Sequence, residues 1–593
     1  MNSSLLPRAA LAAVITSAVV AALCATPAAA AATPNGPNRP ATTATTHQHS
    51  STLATAQHKV PNPLLKELFA EQQDDDGADD PALSALCQSY LGHPTPYHGI
   101  SPNVDMINGD TVVPSGSQQG CDTAQNENTV AVNPANPRNL VSGTNDYRVF
   151  NTRESRNDAS GYAYTSFDGG RTWRDIQLPH LTFQTGATAP LSYMDSAGDP
   201  DVVFGPHNTV YYANLVFSRA DVPATQQNAS GIAVSVSHDG GLTWGEPNIV
   251  HLDGVTPAGT ATPTSIFNDK EWLAVDQRTG QVYVTWTQFT YDAAGNFLDS
   301  PTVVSTSHDN GKHWSGLTQM SPSMTNFTGG ITSFGSGTNP QVADDGTLYV
   351  AYETSVCATA ACNGANDHDA IVIATSRDHG RTFTNTEVTT DYDFPVNADF
   401  ANNGLTGENF RINSFPQLTY DPVLNQLWVT WADDRNGQYD NGASVKTNGD
   451  VILAHAFAGG PWSAPATIGS SSDEVFPAVA AFAGQVAVSF YTRAYDPNGI
   501  GLDYAYVSGN AWNVGNGSFK RLTTQTSNPQ VQFVGTGIVS GKTLQGEFIG
   551  DYTAVALGRD FQLHPVWTDF RGNPGTTEPN QDAYTQSINL LQY

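Results

Sequence analysis

Four arginines stand at matching places after apolar, aromatic-rich runs: Asp146-Tyr147-Arg148, Asp433-Asp434-Arg435, Tyr491-Thr492-Arg493 and Asp569-Phe570-Arg571. The chain has 593 residues, with 25 Lys and Arg against 55 Asp and Glu, so a recurrent arginine is informative. A guanidinium fork matches a carboxylate or sulfate through two parallel hydrogen bonds, and converging arginines would grip an acidic ligand. The competing reading is local: an Asp two residues before an Arg can pair with it and hold a strand end. Arg148 fits the local reading, and both readings stay open for Arg435, Arg493 and Arg571. A second polar set opens other apolar runs: Asp199 and Asp201, Asp269-Lys270-Glu271, Gln341, Arg411, Glu474, and Asp551-Tyr552.

Other chemistries find little support. Gly535 to Thr543 imitates a phosphate-binding loop, but Thr536 occupies the place of its first glycine. Neither a G-x-S-x-G elbow nor an H-E-x-x-H pair occurs. Acid-rich loops at Asp433 to Asp440 and Asp391 to Asp393 could take calcium through oxygen ligands, solvated loops being the alternative. No cofactor is required by any motif. A net charge of −30 excludes nucleic acid and anionic membrane surfaces as partners, because phosphate backbones call for clustered Lys and Arg.

The elements that must position these residues are short strands. From Asn126 onward seven units repeat one plan, in which an apolar or alternating strand and a tight turn lead into a Val/Tyr/Trp-rich strand. Examples are Pro200 to Phe204 with Val210 to Asn214, and Pro416 to Tyr420 with Leu427 to Trp431. An eight-residue segment marks the first four units: Ser166 to Trp173, Ser237 to Trp244, Ser307 to Trp314 and Ser376 to Phe383. Its Asp can accept the turn's own N–H groups and its Gly supplies a positive φ, so these aspartates read as turn staples. Repeats about 70 residues apart suit a four-stranded sheet with loops. The fold expected is an all-β propeller of seven four-stranded blades, with six as the alternative. Strand order puts the eight-residue turns on one face. The starts of first strands and ends of second strands, with their acids and arginines, fall on the other.

The S-x-D-x-G-x-T-W segments resemble the Asp boxes, or BNR repeats, of sialidases and related secreted propellers. The resemblance implies a propeller strongly and an activity less so. In sialidases three arginines hold the sugar carboxylate, a Glu activates a Tyr nucleophile and an Asp is the acid/base, an exception to the two-carboxylate scheme. Carried over, this implies Tyr552 or Tyr491 as nucleophile, with Glu547 or Glu474 as its base. Asp199, Asp201 or Asp269 would be the acid, and Arg411, Arg435, Arg493 and Arg571 would bind substrate. Two features depart from that family: seven units stand against its six blades, and Phe410-Arg411-Ile412-Asn413 lacks the Pro of its F-R-I-P motif and opens the fifth unit.

Arg8, the apolar stretch Ala9 to Leu23 and the small-residue run to Ala32 have the layout of a secretory signal, so residues 1–32 are expected to be removed and the protein secreted. Residues 33–80 read as a linker with a short helix, and 81–125 as a lead-in that donates the closing strand of the ring. Residues 126–593 are the propeller. No later segment is apolar enough to span a bilayer. Exported chains form disulfides, and the expected pairs are Cys87 with Cys121 and Cys357 with Cys362. Two functions follow: a secreted glycan-active enzyme acting on an acidic terminal sugar, or a non-catalytic propeller binding glycan or protein. A lyase on the same fold is a variant of the first.

Overall fold

In the computed structural model, the residues described are 102–107, 124–154, 156–392, 394, 404–407, 410–440, 443–511, 513–514, 519–527, 536–539, 542–545, 548–569, 571 and 581–591. Glu547, Cys87, Cys121, Asp393 and the signal and linker segments lie outside them.

The seven strand pairs of the sequence become the inner halves of seven antiparallel sheets, each of four main strands. The second strands are almost wholly apolar because each is covered on both faces, by the blade before it and the blade after it. Val210–Phe217 is buried at every position. Apolar clusters accordingly bridge neighbours: Tyr349, Ala351 and Ile371 of the fourth blade pack with Leu418, Val429 and Trp431 of the fifth. Apart from three single 3-10 turns, the described chain is strand and loop. It contains no helix long and apolar enough to cross a membrane.

The first blade is Gln125–Val132, Leu140–Asn151, Arg156–Ser166 and Arg174–Gln177, running from the axis outward. In the seventh, Ala554–Leu557, Gln562–Asp569 and Asp582–Thr585 are followed by Val104–Asp105, which pairs antiparallel with Asp582–Thr585. N-terminal and C-terminal segments therefore share one sheet, and the outer edge of that blade is covered.

The Ser-x-Asp turns join third to fourth strands and repeat one geometry. Ser166 Oγ accepts from Gly170 N–H at 2.9 Å and donates to Asp168 Oδ1, which also receives the N–H groups of Arg171 and Thr172 at 3.0 Å. Hydrogen bonding to the ionised form holds the Asp168 and Asp239 carboxyls below the ordinary range against the pull of burial. Gly169 N–H donates to Arg138 O, and Asn139 Nδ2 donates to Gly240 O. These turns thus lie on the same face as the turns between first and second strands. Within the segment resembling a phosphate-binding loop, Thr536–Val539 pairs antiparallel with Lys542–Gln545. Cys357 and Cys362 are disulfide-bonded.

Candidate functional site

Where the inner strands begin, the ladder slips in five blades, between Asn126 and Thr129, Gly198 and Asp201, Asp269 and Trp272, Ser336 and Asn339, and Val475 and Ala478. Each slip holds one residue with left-handed backbone: Glu127 (φ 55°), Asp199 (51°), Lys270 (56°), Gly337 (63°) and Phe476 (50°). For a residue with a Cβ that conformation costs roughly 1–2 kcal/mol. Three charged residues bear it at the same structural position in consecutive blades, and their side chains meet.

Lys270 Nζ is 2.6 Å from Asp551 Oδ2 and 3.4 Å from both Glu127 Oε1 and Asp199 Oδ2. Arg411 grips the same Asp551 with Nε at 2.8 Å and a terminal nitrogen at 2.6 Å. Asn145 links the set, donating to Glu127 at 2.8 Å and accepting from Asp199 N–H at 2.7 Å. All five ionisable groups are buried. These three carboxyls, with Asp269 alongside, outnumber the two cations, and Glu127 bears much of the imbalance. Burial, with Asp199 beside it, pushes its carboxyl well above the ordinary range, while Lys270 opposes. Asp551 and Asp199 go the other way: burial would raise them, but Arg411 and Lys270 hold Asp551 down, and Lys270 with the Glu127 hydrogen bond holds Asp199 down. Of this hydrogen-bonded pair, Glu127 is thus pushed toward its protonated form and Asp199 toward its ionised form, which is the division of labour of an acid pair.

Tyr552 stands beside this cluster, its ring 5.2 Å from that of Trp272 and its hydroxyl donating weakly to Pro200 O at 3.4 Å. Burial and the surrounding Glu127, Asp199, Glu271 and Asp201 drive its phenol well above the usual range, so it is neutral. Of the sequence candidates, the structure brings together Tyr552, Asp199, Asp269 and Arg411. Asp201 is adjacent but engaged: it accepts from Thr129 Oγ1 at 2.9 Å and Leu273 N–H at 2.7 Å, tying three blades. Glu474 is held by Ser470 and Thr492, and Tyr491 donates to Thr568 O.

Arg435, Arg493 and Arg571 do not join the cluster. Arg435 and Arg571 fork onto Asp433 and Asp569, as Arg148 does onto Asp146, and Arg493 pairs with Asp473 at 2.7 Å. The local ion pair is what these strand ends use. Asp391 is packed against Asp433, whose oxygens already receive Trp431 Nε1 and Arg435. Among the described residues, the one group with metal-ligand spacing is Cys357, Cys362 and Asp367, and its sulfurs are joined in the disulfide.

Glu127 was not singled out from the sequence, and Lys270 was noted without a role. Each stands two residues before the first resumed pair of its inner strand, as Asp199 does, a position that only the paired ladder reveals. Phe410 and Ile412, which flank Arg411 in the fourth-to-fifth blade connection, pack with Val475, Phe476 and Ile549. Phe548 lies 4.7 Å under the Arg411 guanidinium. The space left beside Lys270, Trp272 and Tyr552 is about 10 Å³, room for one water.

No family model matches the chain, and no curated protein matches it. Solved structures similar to it include a Hadza microbial sialidase at 12% identity, covering 76% of each chain with a TM-score of 0.36. An ulvan lyase of a polysaccharide lyase family is 10% identical over 76% of this chain and 90% of its own, with a TM-score of 0.40. A leech intramolecular trans-sialidase is 12% identical over 76% and 82%, with a TM-score of 0.38.

Proposed function

We propose that the protein is a glycan-active enzyme whose chemistry centres on the Glu127, Asp199, Lys270, Asp551 and Tyr552 cluster, acting on an acidic sugar. The observation that carries this reading is the cluster's cost. Five buried ionisable groups, from the starts of four blades and the fourth-to-fifth blade connection, three of them on left-handed backbone, replace a packing that apolar residues would fill more cheaply. A Glu127 carboxyl pushed toward its protonated form beside a depressed Asp199 is suited to act as a general acid. Lys270 and Arg411 supply positive charge that an incoming carboxylate would share with, or take from, Asp551. The Ser-x-Asp turns, which resemble those of sialidases, agree with this class. A sugar ring needs far more room than one water, so Phe410, Ile412 and Phe548 must give way when substrate enters.

That closed space favours a second reading, a non-catalytic propeller that binds glycan elsewhere. Fluorogenic glycosides, including sialosides and uronides, separate the two when wild type is compared with Glu127→Gln and Tyr552→Phe. The enzyme reading expects turnover of an acidic member by wild type and a loss of at least 100-fold in Glu127→Gln. A folded wild type that turns over nothing in the panel leaves the binding reading.

A further inference from the structure

On the face opposite the charged cluster, a groove of about 640 Å³ runs between the fourth and fifth blades. It exists because two outer strands differ in length: Thr384–Thr390 closes the fourth blade with seven residues, Ala466–Ile468 the fifth with three. Side chains alternate along a strand, so Thr384 and Thr386 share one face, and with Glu387 and Val388, where the ladder slips, they form a wall of the groove. The fifth blade has no Ser-x-Asp turn here. Gly459-Gly460-Pro461-Trp462 takes its place and sets Trp462 into the opposite wall beside Phe457, which is 57% exposed.

Arg377 stands at one end. Its guanidinium makes no ion pair or hydrogen bond among the described residues, its charge acting only at longer range to help hold the Asp345 carboxyl down, whereas the arginines of the other face are each held by a carboxylate. The neighbouring Asp378 does not claim it, because that carboxylate receives Arg381 N–H, Thr382 N–H, Thr382 Oγ1 and Ser376 Oγ. Glu387, the other acid at the groove, accepts from His368 Nε2 at 3.1 Å. The volume lies in the range of small-ligand clefts, and aromatic faces with a few polar groups are what a sugar ring packs against.

The geometry points to this groove as a second glycan-binding site, in which an acidic oligosaccharide lays a ring on Phe457 and Trp462 and presents a carboxylate or sulfate to Arg377. The site stands on its own lining and does not depend on the reading of the charged cluster. Titration calorimetry of the full chain with tetragalacturonate, and with its methyl ester as the uncharged match, tests it. Wild type should bind the acid saturably. Arg377→Gln should weaken the acid at least tenfold and leave the ester little changed, and Phe457→Ala should weaken both. Both side chains are exposed, and circular dichroism checks that the variants are folded. Absence of saturable binding by wild type overturns the proposal, as does binding that neither variant alters. Loss of binding in Glu127→Gln with retention in Arg377→Gln would place the sugar in the cluster and overturn it too.

Discussion

Lys270 is the pivot of the buried cluster, because among the described residues its ammonium is the only charge within 3.4 Å of all three of Glu127, Asp199 and Asp551. Removing one partner from a buried ionic set leaves the others uncompensated, at a cost of roughly 3–5 kcal/mol. Lys270→Met is therefore expected to lower unfolding stability in urea by about that much, even though Met fills a similar volume. A loss below about 1 kcal/mol would mean that Asp199 and Asp551 had been neutralised by taking up protons. Asp201 offers a pH test of the same interior. Burial raises its carboxyl to about 7, against the hydrogen bonds from Leu273, Thr129 and Val202. A carboxyl raised in the folded state stabilises fully below its unfolded value near ~3.9, and that stabilisation is lost as pH rises through the folded value. The stability of wild type relative to Asp201→Asn should accordingly fall between about pH 4 and pH 7 and level off above. A difference that does not change with pH would sink the assignment. At this scale the sequence was half legible. The identities of Tyr552, Asp199 and Arg411 were visible as polar residues at strand starts. The pairing of Arg435 and Arg571 with their own Asp two residues back, instead of with a ligand, depended on rotamers that no spacing records.

The strands were the most legible elements, because each second strand is apolar enough to be read without knowing its neighbours, and the Ser-x-Asp turns punctuate them. What spacing could not show is the slip at the start of the inner strands. It inserts a residue without any marker, since Glu127, Asp199 and Lys270 occupy conformations that glycine would normally signal. The turns themselves give a graded prediction. Gly169 (φ +80°) has open space where a Cβ would project, whereas a Cβ on Gly241 (φ +96°) would stand 2.5 Å from Val141 Cγ2 and 2.9 Å from Thr165 Oγ1. Both alanine variants pay the left-handed strain of roughly 1–2 kcal/mol, and only Gly241→Ala adds overpacking of about 1–3 kcal/mol. Chemical denaturation should rank them in that order. Equal losses would show that the first and second blades part freely at this corner.

At the scale of the whole molecule, the ring depends on how its ends are joined. Val104–Asp105 adds only two residues to the seventh blade, too few for ladder hydrogen bonds alone to secure it. Asn103 strengthens the joint. Its Nδ2 donates to Leu522 O at 2.9 Å and Gln586 Oε1 at 3.1 Å, and its Oδ1 accepts from Arg571 at 2.9 Å, from Thr524 N–H at 2.9 Å and from Thr524 Oγ1 at 3.0 Å. One buried amide therefore ties the N-terminal segment to both the sixth and the seventh blades. Each buried hydrogen-bonding group left without a partner costs about 1–3 kcal/mol. Asn103→Ala strands several at once, so a loss of roughly 3 kcal/mol or more is expected. Because a ring opens first where its closure is weakest, the loss should fall unevenly. Hydrogen exchange should speed up in Asp582–Thr585 and Gln562–Asp569 before it does in Val210–Phe217, two blade interfaces from the joint by the shorter path round the ring. Uniform acceleration across all blades would show instead that the propeller unfolds as one unit and that Asn103 contributes only to its total stability.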